Sequence, residues 1–186
     1  MQRVFKKDQI LTIPNLLSVI RLLMIPVIVW LYIVKEQYGT AVMVIALSGV
    51  TDIADGIIAR KFHMVSDFGK ILDPVADKLT QFTVIVCLTK TYDWMMALVI
   101  LFFIKEICMA AMGYVVMKKK DSVNSAKWYG KLNTVVLYLV MAILILFPQV
   151  PEAIADALII LCGICMLGSF ILYARFYIGL LKVGQP

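Results

Sequence analysis

Asp52 and Asp55 are three residues apart, Asp73 and Asp77 four apart, and both pairs are set between long apolar runs. A carboxylate is poorly tolerated in such a setting: at mid-bilayer depth a charged residue costs roughly 2.5–3.5 kcal/mol even on the lenient insertion scale. Spacings of three and four place each pair along one face of a helix. The segment joining the two helices is short, which makes them antiparallel neighbours. Counting from the helix ends near Arg60 and Gly69 at about 1.5 Å per residue, Asp52 and Asp77 lie roughly 12 Å deep, and Asp55 and Asp73 roughly 6–8 Å deep. The pairs match in depth. Four carboxylates gathered in this way repel one another unless cations sit between them. Hard divalent ions such as Mg²⁺ take oxygen ligands and keep positions open for phosphate, so the spacing points to a two-ion carboxylate site.

The residues between the pairs favour phosphate chemistry over ion storage. Gly56 follows Asp55 and removes a side chain where a ligand would approach the backbone, while Ala59 and Gly69 keep the same groove open. Arg60 ends the second span at the membrane surface, where a guanidinium can pair with phosphate. Ser66 offers a hydroxyl nearby. Pro74 falls within the first turns of the third helix, where it is tolerated or leaves a mild kink.

The elements that must position these residues are membrane helices. The chain has 186 residues, 62% of them hydrophobic, and its apolar runs are too long for the strands or core helices of a soluble domain. The expected fold is an all-α integral membrane protein with six transmembrane helices in one bundle and one domain over residues 1–186. The spans are expected at about 16–34, 40–59, 69–88, 94–117, 132–147 and 153–181. Residues 1–13 are basic and amphipathic and suit a short interfacial helix, with Pro14-Asn15 breaking the pattern before the first span. That span has no small-residue cleavage site after a short apolar core, so it is expected to remain in the protein. Lys and Arg gather in the N-terminal segment, around Arg60 and in residues 118–131, whereas the opposite loops hold only Lys35 and Lys90. The positive-inside rule then puts the termini and the aspartate site on the cytoplasmic side of the cell membrane. The net charge of +6 is thereby read as topology with some attraction to anionic membrane lipids, and no nucleic-acid partner is expected.

Asp52-x-x-Asp55-Gly56-x-x-Ala59-Arg60, eight residues, then Gly69-x-x-x-Asp73-x-x-x-Asp77 resembles the signature of the CDP-alcohol phosphotransferase (phosphatidyltransferase) family at all eight motif positions. The likeness covers essentially the whole chain. It implies a six-helix membrane fold and two divalent ions, Mg²⁺ or Mn²⁺, held by Asp52, Asp55 and Asp73, with Asp77 both binding metal and acting as general base. It also implies that Gly56, Arg60 and Ser66 contact the CDP group beside Gly69, with Asn15 and Ser18 as further contacts. The implied partners are CDP-diacylglycerol, an alcohol acceptor and a second copy of the chain in a homodimer.

Within the family, IPNLLSVIR and LDPVADK look most like the phosphatidylglycerophosphate synthases, whose acceptor is glycerol 3-phosphate. A small phosphorylated acceptor needs cations, and Lys105, Lys131 and Arg175 are candidates. The chain departs from that subfamily with Lys105-Glu106-Ile107 in place of Arg-Glu-Ile, and with Asn133 in place of the second lysine of Gly-Lys-x-Lys-Thr. Lys-x-Asn-Thr is closer to the family's cardiolipin synthases, whose acceptor is phosphatidylglycerol. Simpler roles stand beside these readings. The aspartates could form a divalent-ion transport site, although no repeat of the kind that transporters show is visible. Lys105-Glu106 could be a packing pair, and Arg21 and Arg175 could snorkel to the interface. His63 reads as a solvated loop residue, and the four cysteines as free thiols, since Cys162-x-x-Cys165 lies inside an apolar helix with no second pair.

Overall fold

A computed structural model describes residues 12–62, 69–119 and 128–182. The expected interfacial segment 1–13 lies almost wholly outside the described residues, as do His63 and Ser66. Among the described residues the protein is all-helical, with α1 Ile13–Val29, α2 Tyr38–Lys61, α3 Gly69–Leu88, α4 Met95–Lys119, α5 Trp128–Leu146 and α6 Glu152–Lys182. They fall into two compact units, Met1–Cys87 and Leu88–Pro186.

In the first unit, Thr12 caps α1 and its hydroxyl accepts from the Asn15 amide. Pro14 occupies the first helical turn, where its missing N–H leaves no bond unmade. The Pro14-Asn15 step therefore lies in the first turn of the helix. Pro26 lies inside α1, and the helix loosens just beyond it into a π-helical turn, Trp30–Val34, closed by Lys35 N–H to Trp30 O at 3.0 Å. Glu36 takes a positive φ of 53° at the reversal. Across that turn Tyr32 and Tyr38 meet edge to face, with ring centroids 5.0 Å apart.

α1 and α2 then pack along one another. The buried stripe of α2 is Ala41, Ser48 and Asp55, one residue every two turns, and small side chains at the first two positions allow close approach. The facing stripe of α1 grades from Ile28 near the turn to Arg21, Ser18 and Asn15 at the far end. The interface is thus apolar at the turn and polar at the opposite end.

In the second unit α6 packs against both α4 and α5. Its buried residues Ala155, Ile159, Cys162, Met166 and Ser169 alternate in steps of four and three, the period of a helix seam. Phe147–Pro151 turns α5 into α6, and the Tyr92 hydroxyl donates to Leu144 O at 3.1 Å, filling one of the carbonyls that the end of α5 leaves open. Burial pushes the pKa of the Tyr92 phenol up.

Among the described residues, five helical segments are long and apolar enough to cross a membrane: Ile13–Val34, Tyr38–Ala59, Met95–Val116, Trp128–Leu146 and Glu152–Leu181. These make the chain a multi-pass membrane protein. α3 forms over the bounds expected from the sequence, 69–88. It does not qualify as a sixth span by composition, because Lys70, Asp73, Asp77 and Lys78 fall within its first ten residues. α5 begins at Trp128, four residues before the expected start, because Gly130 is an interface residue and not part of a polar loop. A Cβ at Gly130 would meet the Tyr173 ring on α6, with Cε2 at 2.9 Å and Cζ at 3.0 Å. Tyr173 is itself wedged edge to face on Tyr129 at 4.6 Å. Gly130→Ala is therefore expected to lower the stability of detergent-solubilised protein by about 1–3 kcal/mol through overpacking. An unchanged melting temperature would show that α5 and α6 do not depend on this close approach.

Candidate active site

The polar end of the α1–α2 interface is built around Arg21. Its guanidinium is 2% exposed and lies between two carboxylates, with Nη1 2.6 Å from Asp52 Oδ1 and Nη2 2.7 Å from Asp55 Oδ2. The contact to Asp55 has hydrogen-bond geometry, Nη1 meets Asp52 as an ion pair, and Nε is buried with no hydrogen-bond partner among the described residues. Asp55 is buried beside Arg21, whereas the Asp52 side chain is 45% exposed. The Gly56 N–H also donates to the Asp55 carboxylate. Two anions one turn apart, shared by one planar cation, form an arrangement that the forked guanidinium suits and an ammonium does not.

α3 brings the second pair. The Ser18 hydroxyl, fully buried on α1, hydrogen-bonds Asp73 Oδ1 and also lies 3.1 Å from Pro14 O. One hydroxyl proton serves one acceptor at a time, and the carboxylate is the stronger. Asp77 is held within α3: Gln81 Nε2 donates to both its oxygens, at 3.2 and 3.1 Å, and Lys78 Nζ donates to Gln81 Oε1 at 3.3 Å. The carboxylates also sense one another, Asp52 feeling the charge of Asp77 and Asp73, and Asp55 that of Asp52 and Asp73.

The first unit thus gathers Asp52, Asp55 and Asp73 with Arg21 and Ser18, and carries Asp77 on the same helix as Asp73. In donor chemistry the set fits a hard divalent ion, four carboxylates offering only oxygen. The side chains do not stand as a closed ligand shell: among the described residues no three His, Cys, Asp or Glu side chains converge as a metal cluster. Arg21, Ser18 and Gln81 each take up carboxylate oxygens that an ion would use.

Ser18, expected at the CDP group, is engaged with Asp73, and Asn15 is buried one turn before it on the same face. Gly69 is buried at the start of α3, and Gly56 lies beside Asp55 on α2. Ser66 and the side chain of Arg60 lie outside the described residues. The acceptor candidates belong to the second unit. Lys105 is buried and its Nζ pairs with Glu106 Oε1 at 2.8 Å, while Lys131 and Arg175 are on exposed faces of α5 and α6.

Two residues of the site escaped the sequence reading. Arg21 was weighed as an interfacial snorkel, yet it is at the centre of the ion cluster. The signal was present: Arg21 and Asp52 lie at nearly equal distances from the turn at Glu36, so an antiparallel hairpin must bring them level. Gln81 was signalled by its place one turn after Asp77, a polar side chain entering an otherwise apolar stretch.

Comparison with known proteins agrees with the motif. A family model described as CDP-alcohol phosphatidyltransferase matches residues 11–178. A cardiolipin synthase (CMP-forming) of Streptomyces coelicolor is 44% identical over 87 residues, which cover 44% of this chain and 40% of that protein. A putative cardiolipin synthase of Mycobacterium tuberculosis is 43% identical over 84 residues, covering 45% of this chain and 40% of its own length. A CDP-diacylglycerol–glycerol-3-phosphate 3-phosphatidyltransferase of Rickettsia bellii is 40% identical over 83 residues, 44% of this chain and 46% of that protein. The chain thus spans less than half the length of these curated relatives. Since the family model takes in nearly every residue from the cap of α1 to the last turns of α6, the chain belongs to the CDP-alcohol phosphatidyltransferase family.

Proposed function

We propose that the protein transfers a phosphatidyl group from CDP-diacylglycerol to an alcohol acceptor, releasing CMP, at the carboxylates of α2 and α3. The observation that supports this most is the gathering of Asp52, Asp55 and Asp73 around one polar end of the first helical unit, with Asp77 one turn further along α3. In this reading the four aspartates hold two divalent ions, Mg²⁺ or Mn²⁺, which when bound supply charge stabilisation for the diphosphate and the leaving CMP. Gly56, Arg60, Ser66, Gly69 and Asn15 receive the CDP group, and Ser18 acts by fixing Asp73. Asp77, oriented by Gln81, takes the proton of the acceptor hydroxyl. That oxygen then bonds to the phosphorus bearing the diacylglycerol, and the bond from this phosphorus to the bridging oxygen of the diphosphate breaks. The lipid product stays in the bilayer and CMP leaves to water. The distribution of Lys and Arg supports a site on the cytoplasmic side of the cell membrane. A homodimer belongs to the same proposal, on family likeness. Transport of divalent ions finds no support in the comparisons.

Glycerol 3-phosphate is the acceptor to which the opening IPNLLSVIR and the Rickettsia relative's name point. One set of observations favours phosphatidylglycerol as a second reading. Lys105 is neutralised by Glu106, the position of an expected lysine is the buried neutral Asn133, and Lys131 and Arg175 are exposed. A dianionic acceptor gains little from cations already paired or facing outward.

Purified full-length protein in lipid nanodiscs with CDP-diacylglycerol and Mg²⁺ is expected to release CMP when offered glycerol 3-phosphate or phosphatidylglycerol, with the matching lipid product seen by mass spectrometry. No turnover with any alcohol, alcohol phosphate or phosphatidylglycerol would refute the reading. Asp77→Asn is expected to reduce turnover by at least about 100-fold, the scale of a lost general base, while CDP-diacylglycerol affinity changes only a few-fold. Full activity in that variant would remove Asp77 as the base.

A further inference from the structure

We propose that Arg21 makes metal loading depend on the anionic substrate, acting as a built-in counter-ion that a divalent ion must contend with at Asp52 and Asp55. The inference rests on the phosphatidyl-transfer reading, and it starts from contacts that the reading does not use. Arg21 is buried, spans both carboxylates at 2.6 and 2.7 Å, and keeps a buried Nε with no hydrogen-bond partner. It is a fixed charge, since a guanidinium does not lose its proton in a protein.

The consequence follows from charge balance. Four carboxylates alone would be neutralised by two divalent ions. With Arg21 permanently among them, the same two ions leave the site with one positive charge too many in a setting of low dielectric, where an unbalanced charge is costly. The diphosphate of a CDP-linked lipid, with about two negative charges, offsets this excess together with that of Lys78 beside Asp77. Metal alone is therefore held weakly, and metal together with a CDP-linked lipid is held tightly. By linkage the lipid tightens the metal by the same factor that the metal tightens the lipid. Arg21 is a positioning residue in this scheme: it sets Asp52 Oδ1 and Asp55 Oδ2 and touches no reacting atom.

The test is Mn²⁺ binding to the full chain in nanodiscs, followed by electron paramagnetic resonance with and without CDP-diacylglycerol and with no acceptor present. Wild type is expected to bind Mn²⁺ about tenfold or more tightly once the lipid is added, a coupling of the usual allosteric size. Arg21→Gln is expected to bind Mn²⁺ alone about tenfold more tightly than wild type and to gain little from the lipid. Arg21→Lys, which keeps a charge but cannot fork across both carboxylates, is expected to show a coupling between those of wild type and Arg21→Gln. A role confined to holding α1 against α2 would lower the melting temperature of both variants and leave the coupling untouched. The proposal is overturned if wild type binds Mn²⁺ equally with and without the lipid, or if Arg21→Gln keeps the wild-type coupling. These failures are separable from failure of the functional reading, in which neither Mn²⁺ nor CDP-diacylglycerol would bind at all.

Discussion

One guanidinium shared by two carboxylates across the α1–α2 interface sets the terms for the first half of the molecule. Arg21 is buried where an unpaired charge would cost several kcal/mol, and Asp55 is buried with it. Each loses a buried ion-pair contact without the other, although Arg21 also pairs with Asp52, so the register of α1 against α2 that brings them level is favoured. Small residues at Ala41 and Ser48 then let the backbones approach closely enough for the side chains to meet. A buried ion pair is a poor source of net stability, since well-packed apolar residues often do as well. Its place here makes more sense as the cost of keeping carboxylates inside an apolar interface, as the proposed phosphatidyl transfer requires.

The other polar contacts extend that logic. Ser18, one turn before Arg21, ties α3 to α1 through Asp73, and Gln81 holds Asp77 with Lys78 behind it. Every aspartate of the motif has a named partner within the first unit. α3 carries the result in its composition: four charged residues in its first ten leave it too polar to be counted as a span, though its 20 residues are long enough for one. The second unit is held differently. α6 presents a regular apolar seam, and its tightest contact is the Tyr173 ring against Gly130.

The helices were legible because apolar runs of spanning length are the strongest signal a chain can carry, and turn residues such as those in Phe147–Pro151 punctuate them. The aspartate motif was legible because carboxylates in such runs demand a reason. Helix edges were less so. α1 starts at Ile13, with Pro14 in its first turn, slightly ahead of the expected 16, while Gly130 looked like loop and is interface, because a glycine has opposite meanings in a packed helix and in a connection. The ion partners were hidden for a different reason. Depth along α2 and α3 matches the aspartates to one another, whereas Arg21 and Ser18 come from α1, whose level against them is set by a separate pair of contacts. Residue type leaves Lys105 both as an acceptor cation and as half of a pair with Glu106, and the structure shows the pair.

The most direct test of this account is a double-mutant cycle between Arg21 and Asp55, read as unfolding free energy in detergent. Arg21→Met and Asp55→Asn should each destabilise the protein by about 3–5 kcal/mol, since each leaves a buried group without its partner. Once one member is gone, removing the other should cost much less, so the double variant should fall short of the sum by about 1–3 kcal/mol. Additive losses would mean that the two side chains do not depend on each other, and the pairing could not then be what sets α1 against α2.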